Sequence, residues 1–348
     1  MPALNTMRPL FFLTLAAIGS ANAQRPTNTS ICDYYTTALF GNSNATNEYS
    51  LLVALVNTVV IGNYTKPNVG VTVPGILTPG LYKGVSVDIL PFFNGALASS
   101  NRGGSSGVAI NFLDDGGAAP LMKSMPAYTT TSRQYKLMTH LYQFFGSLLG
   151  CSAYGSTGFP AYSGSASMAS VHRFMDLDPS DLGYFIAQVA LAAASFGVAD
   201  ADVAAVGSAL QSLFGYRCAP PTTVIAAQGA QLQSVCEDDT CPLAPNATCA
   251  AYPAITPAMD ANATSAATAS MGTGAGAMTV TWNETCGCHM TQPASNGTFS
   301  VNMSPTSAMS SASATATGST TQVSNAGVGM REGLGALALA IAGVAFAL

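Results

Sequence analysis

Apolar residues recur at helical spacing in four stretches of this chain, the pattern of helices that turn one face to a core. The first follows a cap-like Thr46-Asn47-Glu48 and carries Leu51, Leu52, Leu55, Val56 and Val59. The second starts after Ser132, carries Leu137, His140, Leu141, Phe144, Phe145 and Leu148, and ends at Gly150. The third opens on Asp178-Pro179-Ser180-Asp181. Asp as N-cap with Pro at the first helical position is a specific start signal. It runs through Leu182, Phe185, Ile186, Val189 and Leu191 to a stop near Gly197. The fourth begins near Asp200, with Val203, Val206, Leu210, Leu213 and Phe214 on its apolar face. Residues 62–131 break the pattern with Gly, Pro and two short β-like runs, Val71-Thr72-Val73-Pro74 and Val108-Ala109-Ile110. Connections ordinarily span ~4–6 residues, so this stretch must hold further structure, such as a small hairpin, or a functional insertion. The expected fold class is mainly α, a helical domain with a long irregular insertion.

The two ends follow other rules. Arg8 precedes the apolar run Leu10–Ile18 and the small residues Ser20-Ala21-Asn22-Ala23. A charged start, a short apolar core and an A-x-A site make a signal peptide. The run Leu334–Leu348 is uncharged and fifteen residues long, short of the about 20 that a spanning helix needs. A polar spacer and the small triplet Asn325-Ala326-Gly327 precede it, the order of a GPI-attachment signal. A plain C-terminal membrane anchor is the alternative. Asn325 is the expected attachment residue, with Ser324 next. From about Thr256 to Asn325 the chain turns to Ala, Ser, Thr and Gly, too little apolar surface to offset chain entropy and the composition of a disordered, O-glycosylated stalk. The patch Met278–His289, with Val280 and Trp282, stands apart from it. The organisation expected is residues 1–23 as signal peptide, 31–253 as the folded domain with its insertion at about 96–131, 254–325 as stalk and 326–348 as propeptide.

Of 348 residues, 11 are Lys or Arg and 16 are Asp or Glu, for a net charge of −5. Nucleic-acid binding leaves a basic footprint that is absent here. No interior apolar run reaches the about 18 residues of a membrane span, so the chain does not read as a transporter. Eight cysteines, Cys32, Cys151, Cys218, Cys236, Cys241, Cys249, Cys286 and Cys288, are an even count on a secreted-route chain and read as disulfides of open connectivity. Cys286-Gly-Cys288-His289 resembles a metal patch, but no second cluster stands at zinc spacing. Eight N-x-S/T sequons, at Asn28, Asn44, Asn63, Asn246, Asn262, Asn283, Asn296 and Asn302, mark surface on such a chain. Phosphate loop and H-E-x-x-H are missing, and no catalytic residue is assigned. Asp114-Asp115-Gly116-Gly117 offers two carboxylates, but adjacent side chains diverge and Asp with Gly is turn chemistry.

Three histidines remain: His289 in the stalk, His140 on the second helical stretch, and His172 in Met168-Ala169-Ser170-Val171-His172 ahead of the third. A buried imidazole often just completes a hydrogen bond. Two on facing apolar segments also suit axial ligation of haem iron in a dry pocket. From Lys136 to Leu213 the chain resembles the group I truncated haemoglobins. The resemblance rests on Phe144-Phe145 and Gly150, Met168 with Val171-His172, the helix through Phe185–Phe196, the turn Gly197-Val198 and a last helix from Asp200. Upstream, Leu90-Pro91-Phe92-Phe93-Asn94-Gly95 is similar to that family's Phe-Phe corner.

The resemblance implies a globin-like fold holding haem b, with His172 as proximal and His140 as distal iron ligand. Phe93, Leu137, Leu141, Phe144 and Met168 would wall the pocket, and each also suits plain core packing. The insertion, Cys151 in place of a second glycine, and Asn57-Thr58 where the family carries a distal Tyr all depart from the pattern. A bis-histidine haem implies electron transfer, redox sensing or scavenging of reactive species, with a redox partner, on a GPI-anchored, fungal-type glycoprotein at the cell surface. The alternative is a structural or adhesive cell-wall protein whose globin-like domain binds no haem. A hydrolase using Asp114 or Asp115 ranks third, since no partner acid stands nearby.

Overall fold

The computed structural model describes residues 25–261, 279–283 and 288–292. The expected signal peptide, Asn325 and the propeptide lie outside the described residues, as do Cys286 and the sequons at Asn262, Asn296 and Asn302.

Helix α1 (Ile31–Phe40) starts at Ser30, whose hydroxyl accepts from the Asp33 amide at 3.0 Å. Helix α2 (Ala45–Ile61) starts at Asn44, which caps the Asn47 amide at 3.0 Å. Its residues Leu51, Leu52, Val56, Val59 and Val60 are buried, because α2 packs against α1 on one side and the later helices Arg133–Leu148 and Pro179–Ser195 on others. At its end Gly62 crosses the backbone of Gly75 in the next loop. Both have positive φ, 84° and 83°, and a Cβ on Gly75 would sit 2.4 Å from the Gly62 nitrogen. Only glycine fits there.

The 62–131 stretch folds as two strand ladders and two helical turns. Strands β1 (Gly80–Tyr82) and β2 (Val85–Val87) form a hairpin. One helical turn, α3 (Pro91–Asn94), runs directly into β3 (Gly95–Ser100), which pairs antiparallel with β4 (Val108–Asn111). A second turn, α4 (Ala118–Leu121), precedes α5 (Arg133–Leu148), capped by Ser132. The wholly buried Gln134 of α5 ties the loop before it down. Its amide donates to Gly117 O at 2.9 Å and Pro126 O at 3.1 Å and accepts from the amides of Gly117 and Asp115, so each of its four hydrogen-bonding sites is filled.

Beyond α5 come α6 (Met168–His172), a single short helix, then α7 (Pro179–Ser195) and α8 (Asp200–Phe214). The Asp178 side chain accepts from the Asp181 amide and the Asp181 side chain from the Asp178 amide, a reciprocal cap. Short strands β5 (Thr222–Thr223) and β6 (Ala230–Gln231) pair, and β7 (Met259–Asp260) adds to the far edge of β3, with Leu97 opposite Asp260. The folded part thus runs on through strand pairing past residue 253. In a separate unit, β8 (Thr279–Asn283) pairs antiparallel with β9 (Cys288–Gln292), placing Trp282 opposite His289.

The expectation of a mainly α, globin-like fold is overturned. Several antiparallel strand pairings stand beside the helices, and the described residues are mixed α/β in content. The four helices stand where their periodicity puts them. What hid the sheet is composition: Gly95-Ala96-Leu97-Ala98-Ser99-Ser100 has little β-propensity, and its second partner lies about 160 residues further along the chain. The segment Leu90–Gly95 is accordingly a helical turn feeding a sheet rather than a globin corner.

Candidate functional site

His172 ends α6, half-buried, with Nδ1 2.8 Å from Met168 O one turn back. That bond fixes the tautomer and leaves Nε2 with a free lone pair. Burial pushes its pKa below the usual histidine value. His140 sits on α5, also half-buried, its pKa lowered by burial and then by Lys136. Its ring meets Tyr162 edge-on at 5.3 Å between centroids, Nε2 lies 3.4 Å from Ser163 Oγ, and a Cβ on Gly164 would stand 3.0 Å from Nδ1. Both nitrogens of His140 therefore face the 162–164 loop.

The expected pocket walls are also occupied with packing. Phe144 is buried and contacts the rings of Tyr162 at 5.6 Å and Phe214 at 6.3 Å. Phe93, Leu141 and Met168 are partly buried against the main core, and Leu137 is half-buried on α5. Asn57, where a distal Tyr was missed, bonds instead with a tyrosine from α5. The wholly buried Tyr142 donates to Asn57 Oδ1 at 2.6 Å, and Asn57 Nδ2 donates to Leu121 O at 3.1 Å.

The two adjacent acids close a turn. Asp115 accepts from the Thr129 amide at 2.6 Å and from its hydroxyl at 2.9 Å, bonds that lower its pKa. Asp114 accepts from the amide of Gln134 at 3.0 Å and that of Arg133 at 3.3 Å, at the start of α5. Six cysteines pair as Cys32–Cys151, Cys218–Cys249 and Cys236–Cys241. Glu48 brings a carboxylate oxygen within 4.8 Å of the Cys32 and Cys151 sulfurs, but those sulfurs are bonded to each other, which removes them as ligands. Glu48 itself, wholly buried, accepts from Ser43, Ser152 and the Ala153 amide. The sequon asparagines Asn28, Asn44, Asn63 and Asn246 are all exposed.

A concavity that periodicity did not reveal lies after α8. It has a volume of about 480 Å³ and is walled by the Cys218–Cys249 disulfide, Leu243, Tyr252 and Ile255, with Arg217 and Glu237 as its charged members. Its walls are held from several sides. The Arg217 amide donates to Pro242 O and the Ala244 amide to Arg217 O, while Tyr252 donates to Ala219 O at 2.6 Å. The Cys236–Cys241 bridge pins the loop that carries Glu237. Glu237 is 7% exposed, and its Oε1 has no partner among the described residues. Burial, then the charge of Asp176, pushes its pKa up to about 7, against a partial offset from Arg173. Arg217 pairs with Asp239 through Nη1, but its buried Nε–H has no acceptor among the described residues. No motif surrounds these two residues, and nothing in the sequence singles them out.

Comparison with protein-family models, with curated proteins and with solved structures returns no match for this chain.

Proposed function

We propose that this chain is a cell-surface glycoprotein in which a disulfide-stapled ectodomain is displayed on a Ser/Thr-rich stalk and held by a GPI anchor, acting as a structural or adhesive module rather than as an enzyme. One observation supports it above the others: five polar side chains that could have done chemistry, Glu48, Gln134, Asp202, Asp114 and Asp115, are bonded into the frame. Glu48 and Gln134 are wholly buried and fully engaged. Asp202 holds Arg25 at 2.9 Å and accepts from Tyr35 at 2.9 Å. Asp114 and Asp115 cap backbone amides. The exposed sequons and the three bridges fit the same extracellular setting.

The full chain, expressed in a eukaryotic secretory host, should reach the surface and be shed by a phosphatidylinositol-specific phospholipase. Substituting Ser324 and Asn325 together by Gln should abolish that release, and cells carrying the protein should adhere more than cells without it. Intracellular retention of the unaltered chain would sink the display reading. Haemin titration of the shed protein should give no Soret band. A band lost in His172→Ala would replace the non-catalytic reading with a haem protein.

A further inference from the structure

We propose that the Cys218–Cys249 bridge is a site of thiol–disulfide exchange, opened by an extracellular dithiol that enters the neighbouring concavity and attacks Cys249. Of the six cysteines in the three bridges, Cys249 alone is exposed. Cys32, Cys151, Cys218, Cys236 and Cys241 are each 7% exposed or less. An attacking thiolate must reach a sulfur, so access decides which bridge reacts. Cys32–Cys151 and Cys236–Cys241 both belong to the main core, and a reductant meets them only when the structure around them opens.

The concavity supplies the approach. Cys218 and Cys249 both line it, and its volume of about 480 Å³ falls inside the about 300–1,000 Å³ typical of small-ligand pockets. Leu243 and Ile255, also on its wall, are exposed and would be covered by an apolar residue flanking the attacking thiol. Cys218 has a φ of 61°, a left-handed conformation that residues with a Cβ seldom adopt. The bridge is one of the ties that hold it there, and the Thr248 amide on Cys218 O at 2.8 Å is another.

The exchange runs in two displacements. The first thiolate of the dithiol attacks Cys249 Sγ, a new S–S bond forms there, and the Cys218–Cys249 bond breaks. Its electron pair leaves on Cys218 Sγ, which takes a proton from water. The second thiolate then attacks the sulfur of the first, and Cys249 departs as a thiolate. The dithiol leaves as its own disulfide, oxidised by two electrons while the bridge is reduced by two. The two cysteines stay close after reduction, because the wall has other ties. The Arg217 amide donates to Pro242 O, the Ala244 amide to Arg217 O, the Thr248 amide to Cys218 O and the Tyr252 hydroxyl to Ala219 O. Reduction here is therefore local and reversible, and the site does not depend on how the chain is displayed.

The test is reduction of the full, natively folded chain by dithiothreitol, quenched with iodoacetamide at intervals and read by peptic mapping in a mass spectrometer. Cys218 and Cys249 should be alkylated at least about tenfold faster than Cys32, Cys151, Cys236 and Cys241, the advantage of direct access over local opening. Glutathione, a monothiol, should be trapped on Cys249 and not on Cys218. Ala254→Trp, at an exposed position on the same wall, should slow this bridge by about tenfold and leave the other two unchanged. Asn246→Gln removes the sequon just before Cys249 and should keep the same order of reduction. Oxidised glutathione, added once the reductant is removed, should restore the same pairing. Loss of the three bridges together, earlier opening of Cys236–Cys241, glutathione on Cys218, or a rate indifferent to Ala254→Trp would overturn the proposal.

Discussion

At the scale of single residues, several polar side chains are buried in this sparsely charged chain, and Gln134, Asn57 and Glu48 among them are bonded into the frame. Gln134, Asn57 and Glu48 each bond two or more segments that are distant in sequence. None lies at a position that hydrophobic patterning flags, because a polar residue on an otherwise apolar helix face reads as a break in the pattern. Glu237 differs in leaving an oxygen without a partner, and it makes stability depend on pH. Its folded pKa stands near 7, above the ordinary carboxyl value of 4.5. Its contribution is therefore fully present below about pH 4.5 and is lost as pH rises through 7. The two histidines work in the opposite sense, since burial lowers their pKa values and acid then favours the unfolded chain. The difference between wild type and Glu237→Gln isolates the first term. In chemical denaturation, Glu237→Gln should be more stable relative to wild type at pH 8 than at pH 5, by on the order of 2–3 kcal/mol. An offset that does not change with pH would show that Glu237 is ionised throughout.

At the scale of elements, the helices carry their own instructions. Ser132, Asp178 and Asn44 cap as their residue types predict, and the Asp178–Pro179 start was legible without any structure. Helix α1 was not, because its buried residues Cys32, Tyr35 and Thr36 form too short a run to show a period. Close approach is the other feature that local rules miss. Gly146 lies inside α5, where Ala would ordinarily be preferred by about 1 kcal/mol. Here a Cβ would stand 2.3 Å from the ring of Phe159, a side chain with no exposed surface to move into. Gly146→Ala should accordingly destabilise, by about 1–3 kcal/mol, read as a lower thermal midpoint. A rise in the midpoint would mean that propensity outweighs the clash and that Phe159 can shift.

At the scale of the whole molecule, the Cys32–Cys151 bridge joins α1 to the end of α5 across 119 residues. Closing a loop of that length restricts the unfolded chain by about 4–5 kcal/mol, so replacing both cysteines by Ala should lower the denaturation midpoint far more than breaking Cys236–Cys241, which closes only 5. Similar losses for the two would show that native contacts, and not chain entropy, set their value. The sequence by itself determined the local parts: four helices, the Ser132 and Asp178 caps of two of them, the turn built on Asp114 to Gly117, and, among the described residues, cysteines as bridges and sequons on the surface; the cap of α2 is Asn44 rather than the Thr46-Asn47-Glu48 expected. Those rest on interactions between residues a few positions apart, which a linear reading can see. The tertiary structure alone decided the rest. It placed β7 beside β3, chose which cysteines join, and turned His140 toward the 162–164 loop. Each of these pairs residues far apart along the chain, and their meeting is governed by packing of the finished core, which small, polar and Gly-rich segments do not announce in their own sequence.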